Sequence, residues 1–63
     1  MTEREIRKIF KWIVNIIDSC ENSFHLEAAE KIIELFYEKT KEHELTMQLK
    51  VLRKDKLDYL SIV

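Results

Sequence analysis

Apolar residues recur along this chain with the period of a helix, in three blocks. In the first, Ile6, Ile9, Phe10, Ile13, Ile16, Ile17 and Cys20 fall within roughly 120° of a helical wheel. Thr2 stands ahead of this stripe with Glu5 three residues on, the pattern of a capping box. The polar run of Asp18, Ser19, Glu21, Asn22 and Ser23 lets the helix stop, and Asn22 or Ser23 can cap the next. The second block, from about Phe24 to about Thr40, is apolar over roughly 220°, through Phe24, Leu26, Ala28, Ala29, Ile32, Ile33, Leu35, Phe36 and Tyr37. A helix with one neighbour needs about half that width, so this one is expected to have neighbours on two sides.

The stretch KTKEHE (residues 39–44) holds no strong breaker, so one long continuous helix is an alternative. A turn near residues 40–43 is favoured, because a rod would leave the broad second face uncovered. A third helix then runs from about Glu44 to about Leu60. Leu45, Leu49, Leu52, Tyr59, Leu60 and Val63 share one face, with Lys56 in its middle laying its stem over the core edge. The expected core is Ile6, Ile9, Phe10, Ile13, Ile17, Cys20, Ala29, Ile32, Ile33, Phe36, Leu45, Leu49, Leu52 and Leu60. Some apolar residues are left over. Trp12 and Val14 flank the first helix, and Met47, Val51 and Ile62 form a second strip on the third.

Composition narrows the picture. The chain has 63 residues and neither glycine nor proline, so the tight turns of a sheet are disfavoured and residues 1–63 read as one all-helical domain. A core this small rarely supplies more than about 3–5 kcal/mol. Its single cysteine excludes an internal disulfide, which leaves a metal or a second subunit as the further stabiliser. The lone Cys20 fits a reducing, cytoplasmic setting. No secretory signal is visible, and no apolar run approaches the ~18 residues of a spanning helix.

Net charge is −1, which disfavours a protein whose main task is neutralising phosphates. The charge divides by block, +2 over residues 1–17, −5 over 18–44 and +2 over 45–63. An acidic middle helix between two basic ones lets opposite charges meet along both seams. Exposed pairs are worth only tenths of a kcal/mol, so their effect falls on topology and partner choice.

The stretch RKIFKWIVNII (residues 7–17) has the basic and aromatic look of a membrane-surface helix. Trp12 lies roughly 100° from the centre of the stripe, however, and the second helix needs a partner of this width. The stretch is therefore read as a core wall. The leftover strip of Trp12, Val14, Met47, Val51 and Ile62 is the candidate oligomer interface, with a homodimer as the simplest assembly. Glu27, Glu30, Glu34, Glu38 and Glu42 make an acidic ridge, mostly at i, i+4 spacing. Such a ridge is first of all a solvated face, and second a candidate surface for a basic partner.

Chemistry is sparse. Cys20, His25 and His43 lack the paired spacing of a zinc site, and the doubled Glu-x-x-His of a di-iron bundle is missing, so no metal and no cofactor are expected. Cys20 is read as the last core residue of the first helix, His25 as part of the first turn of the second, and His43 as a turn residue. There is no phosphate loop, nucleophile elbow or readable carboxylate pair, and an enzyme is not expected. The alternative function is a small helix-turn-helix-like regulator that contacts nucleic acid with Lys50, Arg53, Lys54 and Lys56 on the third helix. Against it stand a turn without glycine, an acidic preceding helix and no positive excess.

Residues 12–57, WIVNIIDSCENSFHLEAAEKIIELFYEKTKEHELTMQLKVLRKDKL, resemble small uncharacterised helical proteins of low-GC bacteria and their phages. The likeness lies in an Ile-rich first helix with a cysteine near its end, an aromatic-His-Leu entry and an Ile-Ile-Glu-Leu-Phe core. It carries no functional signature, so no site residue transfers. It implies an accessory protein of a phage or mobile element that binds a host or defence protein. The expectation is thus an all-α protein, a three-helix bundle or a helical hairpin plus third helix, completed by self-association. Its expected role is a non-enzymatic, cytoplasmic protein-interaction module, with nucleic acid and membrane disfavoured as partners.

Overall fold

Thr2 starts the first helix as expected: its hydroxyl oxygen accepts from the Glu5 backbone N–H at 3.2 Å, pairing one of the donors that a first turn leaves free. The same hydroxyl donates to Glu5 Oε1 at 3.2 Å. The computed structural model describes residues 2–62, without the side chain of Ile62. Val63, expected on the third apolar face, lies outside the described residues. Helix α1 spans Glu3–Ser19, α2 spans Ser23–Thr40 and α3 spans His43–Ile62. No strand occurs among the described residues.

The ends of α1 and α2 are closed by specific interactions. At the end of α1 the Ser19 hydroxyl and the Cys20 thiol both donate to the Ile16 carbonyl, at 2.9 and 3.2 Å. The last turn of α1 has no basic residue. A cation arrives from α3 instead, where Lys56 Nζ donates to the Asp18 carbonyl at 3.0 Å. A positive charge there opposes the negative end of the helix dipole. Asn22 caps α2 by accepting from the His25 N–H at 3.0 Å. The turn after α2 is made without glycine. Lys41 takes the left-handed conformation, φ 56 and ψ 24, which for a residue with a Cβ costs about 1–2 kcal/mol. Its N–H reaches the Tyr37 carbonyl at 2.7 Å, and its ammonium lies 5.3 Å from the Tyr37 ring centre. Thr40 Oγ1 donates to the Phe36 carbonyl at 2.8 Å and accepts from the Glu42 N–H at 3.2 Å. Together these interactions hold the turn.

The connections are short, Cys20 to Asn22 and Lys41 to Glu42, and short connections make successive helices antiparallel neighbours. All three helix pairs touch, so the bundle is a closed triangle running up, down and up. Its extents are 39 × 16 × 16 Å. A helix of 20 residues such as α3 is ~30 Å long, so it must run along the long axis.

Ile13, Ile17, Leu26, Ile33 and Leu49 are fully buried, and Ile6, Cys20, Ala29 and Phe36 complete the core. Phe10 and Phe36 meet with tilted rings, centroids 6.5 Å apart. Several expectations change. Of the expected core, Ile9, Phe10, Ile32, Leu45 and Leu60 are only partly buried and pack against it, while Leu26 joins the core. Leu52, expected inside, is exposed. Thr46, polar and unexpected, is buried because its hydroxyl donates to the Glu42 carbonyl at 2.7 Å, which removes the penalty of hiding it. The wide face of α2 is only partly covered: α1 and α3 close over its centre, while Phe24 and Leu35 stay outside.

Candidate interaction surfaces

Each pair of helices leaves a seam, and the three seams differ in chemistry. The α2/α3 seam is charged. Arg53 donates from Nε to the Leu26 carbonyl at 3.0 Å and from Nη2 to Glu30 Oε2 at 3.3 Å. Its side chain is 20% exposed, against 49% for that of Glu30, so solvent screens the pair from one side. Further along, Glu34, Tyr37, Glu38, His43, Met47 and Lys50 line an open cleft of about 380 Å³. His43 stands edge-on to Tyr37, with centroids 6.2 Å apart.

The acidic ridge is thus placed against basic α3 rather than facing solvent alone. Glu30 pairs with Arg53, Glu34 and Glu38 share a cleft with Lys50, and Glu27 is exposed. Glu42 leaves the ridge. The left-handed Lys41 ends α2 before it, and Glu42 turns into a second cleft with Glu3, Arg7, Glu44 and Leu45 on the α1/α3 side. At that seam Arg7 also meets Glu3 at 3.1 Å, both highly exposed.

The cations proposed for nucleic acid are divided as well. Arg53 and Lys56 hold the carbonyls of Leu26 and Asp18, and Lys56 Nζ lies 5.6 Å from the Tyr59 ring centre. Lys50 lines a cleft with Glu34 and Glu38, and both Lys50 and Lys54 are exposed. The lengthwise α2 and α3 also differ from the ~90–120° crossing of a helix-turn-helix.

The α1/α2 seam is apolar. Ile9, Trp12, Ile32, Leu35 and Phe36 line a groove of about 270 Å³, with Lys39 and Thr40 at one end. Trp12 is 57% exposed and Leu35 55%. Phe24, 77% exposed, stands toward the start of α2. A second apolar surface lies on the outside of α3, where Met47, Gln48, Val51 and Leu52 surround a shallow depression.

The five interface candidates therefore do not form one strip. Trp12 belongs to the α1/α2 groove and Met47 and Val51 to the outside of α3. Val14 is half-buried and packs against the core. The side chain of Ile62 lies outside the described residues. Leu35 and Phe24 were missed as surface residues because the broad α2 stripe does not say which of its edges will be covered.

The metal-ligand types are dispersed. Cys20 is buried in the core and unpaired by disulfide. Burial pushes its thiol above the ordinary value, and the nearby Lys56 charge opposes that rise. His25 Nδ1 accepts from the Glu21 N–H at 3.3 Å, while His43 sits at the far end of α2. Among the described residues no group of three or more His, Cys, Asp or Glu is placed to hold a metal ion. Every buried side-chain polar atom described has a hydrogen-bond partner. No helix described is long and apolar enough to cross a membrane. Comparison with family models, with curated proteins and with solved structures finds no match to this chain.

Proposed function

We propose that this chain is a non-enzymatic helical protein-interaction module that self-associates, most simply as a dimer. The observation that carries this reading is the number of large apolar side chains left exposed on so small a chain, Trp12 and Leu35 at one surface and Met47, Val51 and Leu52 at another. Patches of this kind mark surfaces that meet another molecule.

The outside of α3 is the better surface for a second copy. Val51 is 54% exposed beside Met47 and Leu52, and the exposed Lys54 and Asp55 lie one turn further along α3. A rim of both signs lets two copies related by a two-fold axis pair opposite charges. A cytoplasmic setting suits the free Cys20 thiol. The resemblance of residues 12–57 to phage proteins supports an accessory role directed at a host protein.

Sedimentation equilibrium over micromolar concentrations tests the reading. The expected result is a mass that rises toward twice the protomer, and a protomer mass at every concentration for Val51→Glu. A protomer mass throughout for the unchanged chain refutes self-association.

A further inference from the structure

The two halves of α3 are attached to the bundle by different means. The first half carries Thr46 and the fully buried Leu49, which sit in the common core. Beyond Leu49, none of the described side chains of α3 is buried. Leu57 and Leu60 are half-buried and pack against the edge of the core. Two cations tie this half down: Arg53 reaches the Leu26 carbonyl on α2 and Lys56 the Asp18 carbonyl on α1, each at 3.0 Å. By contrast α1 and α2 hold buried residues along most of their length, from Ile6 to Ile17 and from Leu26 to Phe36.

The far end of α3 is also weakly supported as a helix. Its last turn has no basic residue, and Asp58 stands about one turn from the negative end of the dipole, where an acid is unfavourable. A segment with few buried apolar contacts and an exposed backbone opens at a lower free energy than the whole molecule. The bonds made by Arg53 and Lys56 do not prevent this, because on release the cations and the carbonyls all regain water. Pulling Leu49 out of the core has no such compensation.

We propose that α3 from Arg53 onward is a detachable strap, which undocks from the bundle while α1, α2 and the first half of α3 stay folded. The strap covers the end of α1 that holds Cys20. That thiol is buried and donates to the Ile16 carbonyl at 3.2 Å, and the charge of Lys56 acts on it, so α3 lies over it at Lys56. Release of the strap uncovers Cys20 and Leu26 and leaves Ile33 and Leu49 packed. The device stands whether or not the chain self-associates, and it is tested at protomer concentrations too low for association.

Cys20 is the only cysteine, so its reaction with N-ethylmaleimide at fixed pH reports the opening. The expected labelling rate rises with urea less steeply than the unfolding followed by circular dichroism, because opening the strap exposes less surface. Arg53→Ala should speed labelling about tenfold, the effect of losing one hydrogen bond from a charged donor. Leu60→Ala, which trims the apolar contact of the strap, should act in the same direction. Arg53 is the test position because replacing Lys56 would also change the charge beside the thiol. Ile33→Val should lower the urea midpoint and leave labelling in buffer unchanged, since Ile33 stays buried when the strap opens. Labelling with the same urea slope as unfolding, or labelling accelerated by Ile33→Val in proportion to the stability lost, overturns the proposal and assigns the exposure of Cys20 to global unfolding. Labelling indifferent to both Arg53→Ala and Leu60→Ala overturns it as well, and assigns the exposure to fraying of α1.

Discussion

Replacing Ile33 by alanine tests the packing of α2 more sharply than any other single change. Ile33 is fully buried at the middle of the bundle, while its neighbour Ile32 faces the α1/α2 groove half-covered. Ile→Ala removes three carbons, worth ~0.8 kcal/mol each in transfer free energy, or ~2.4 kcal/mol. The cavity left between three packed helices raises this to about 3–4 kcal/mol. A chain of this size holds only about 3–5 kcal/mol in total. Ile33→Ala should therefore be close to half unfolded in buffer at protomer concentrations too low for association. Ile32→Ala loses less burial and leaves a space open to solvent, so it should cost about 1 kcal/mol. Urea unfolding followed by far-UV circular dichroism and by Trp12 emission measures both. If Ile32→Ala is as damaging as Ile33→Ala, α2 is rotated from the orientation described, and the apolar groove built on Ile32 and Leu35 goes with it.

Three more outcomes follow from particular contacts. Lys41→Gly should stabilise the chain by about 0.5 kcal/mol, since glycine adopts the left-handed conformation without a Cβ clash and the exposed contact with Tyr37 it removes is worth less; a lower urea midpoint would show the reverse. Arg53→Ala should cost about 1–2 kcal/mol by losing the Leu26 carbonyl bond and its packed stem, whereas Glu30→Gln, which removes only a screened partner, should cost under about 0.5 kcal/mol. The raised Cys20 thiol makes folding favour the protonated form. Its contribution is therefore fully present below the ordinary thiol value of 9.0 and is lost as pH rises through the higher folded value. Urea midpoints should fall at alkaline pH, and Cys20→Ala should flatten that slope.

Much of the fold is legible in the residues. The stripe from Ile6 to Cys20 has one side only, so its orientation is determined by periodicity alone. Thr2 and Asn22 announce helix starts because few residues other than short polar ones can accept from a free N–H. The second helix is ambiguous for the opposite reason. With apolar residues over most of its circumference, pattern does not distinguish the buried Leu26 from the exposed Leu35; the positions of α1 and α3 decide it. Thr46 was illegible because its burial depends on a carbonyl in the preceding turn. The surfaces were least legible. Counting charges cannot reveal that Arg53 and Lys56 reach carbonyls on other helices, nor that the turn at Lys41 takes Glu42 out of the acidic ridge.

The bond from Lys56 to Asp18 also bears on when the protein can fold. It joins positions 38 residues apart, and α1 is made first. At ~5–20 residues per second, ribosomal synthesis needs about 2–8 s to travel that distance, whereas helical bundles fold in microseconds to milliseconds. For seconds, then, the growing chain holds the α1 and α2 sequences without Leu49 to close their core or Lys56 to oppose the dipole at the end of α1. The native bundle closes only once the C-terminal half of α3 has been added.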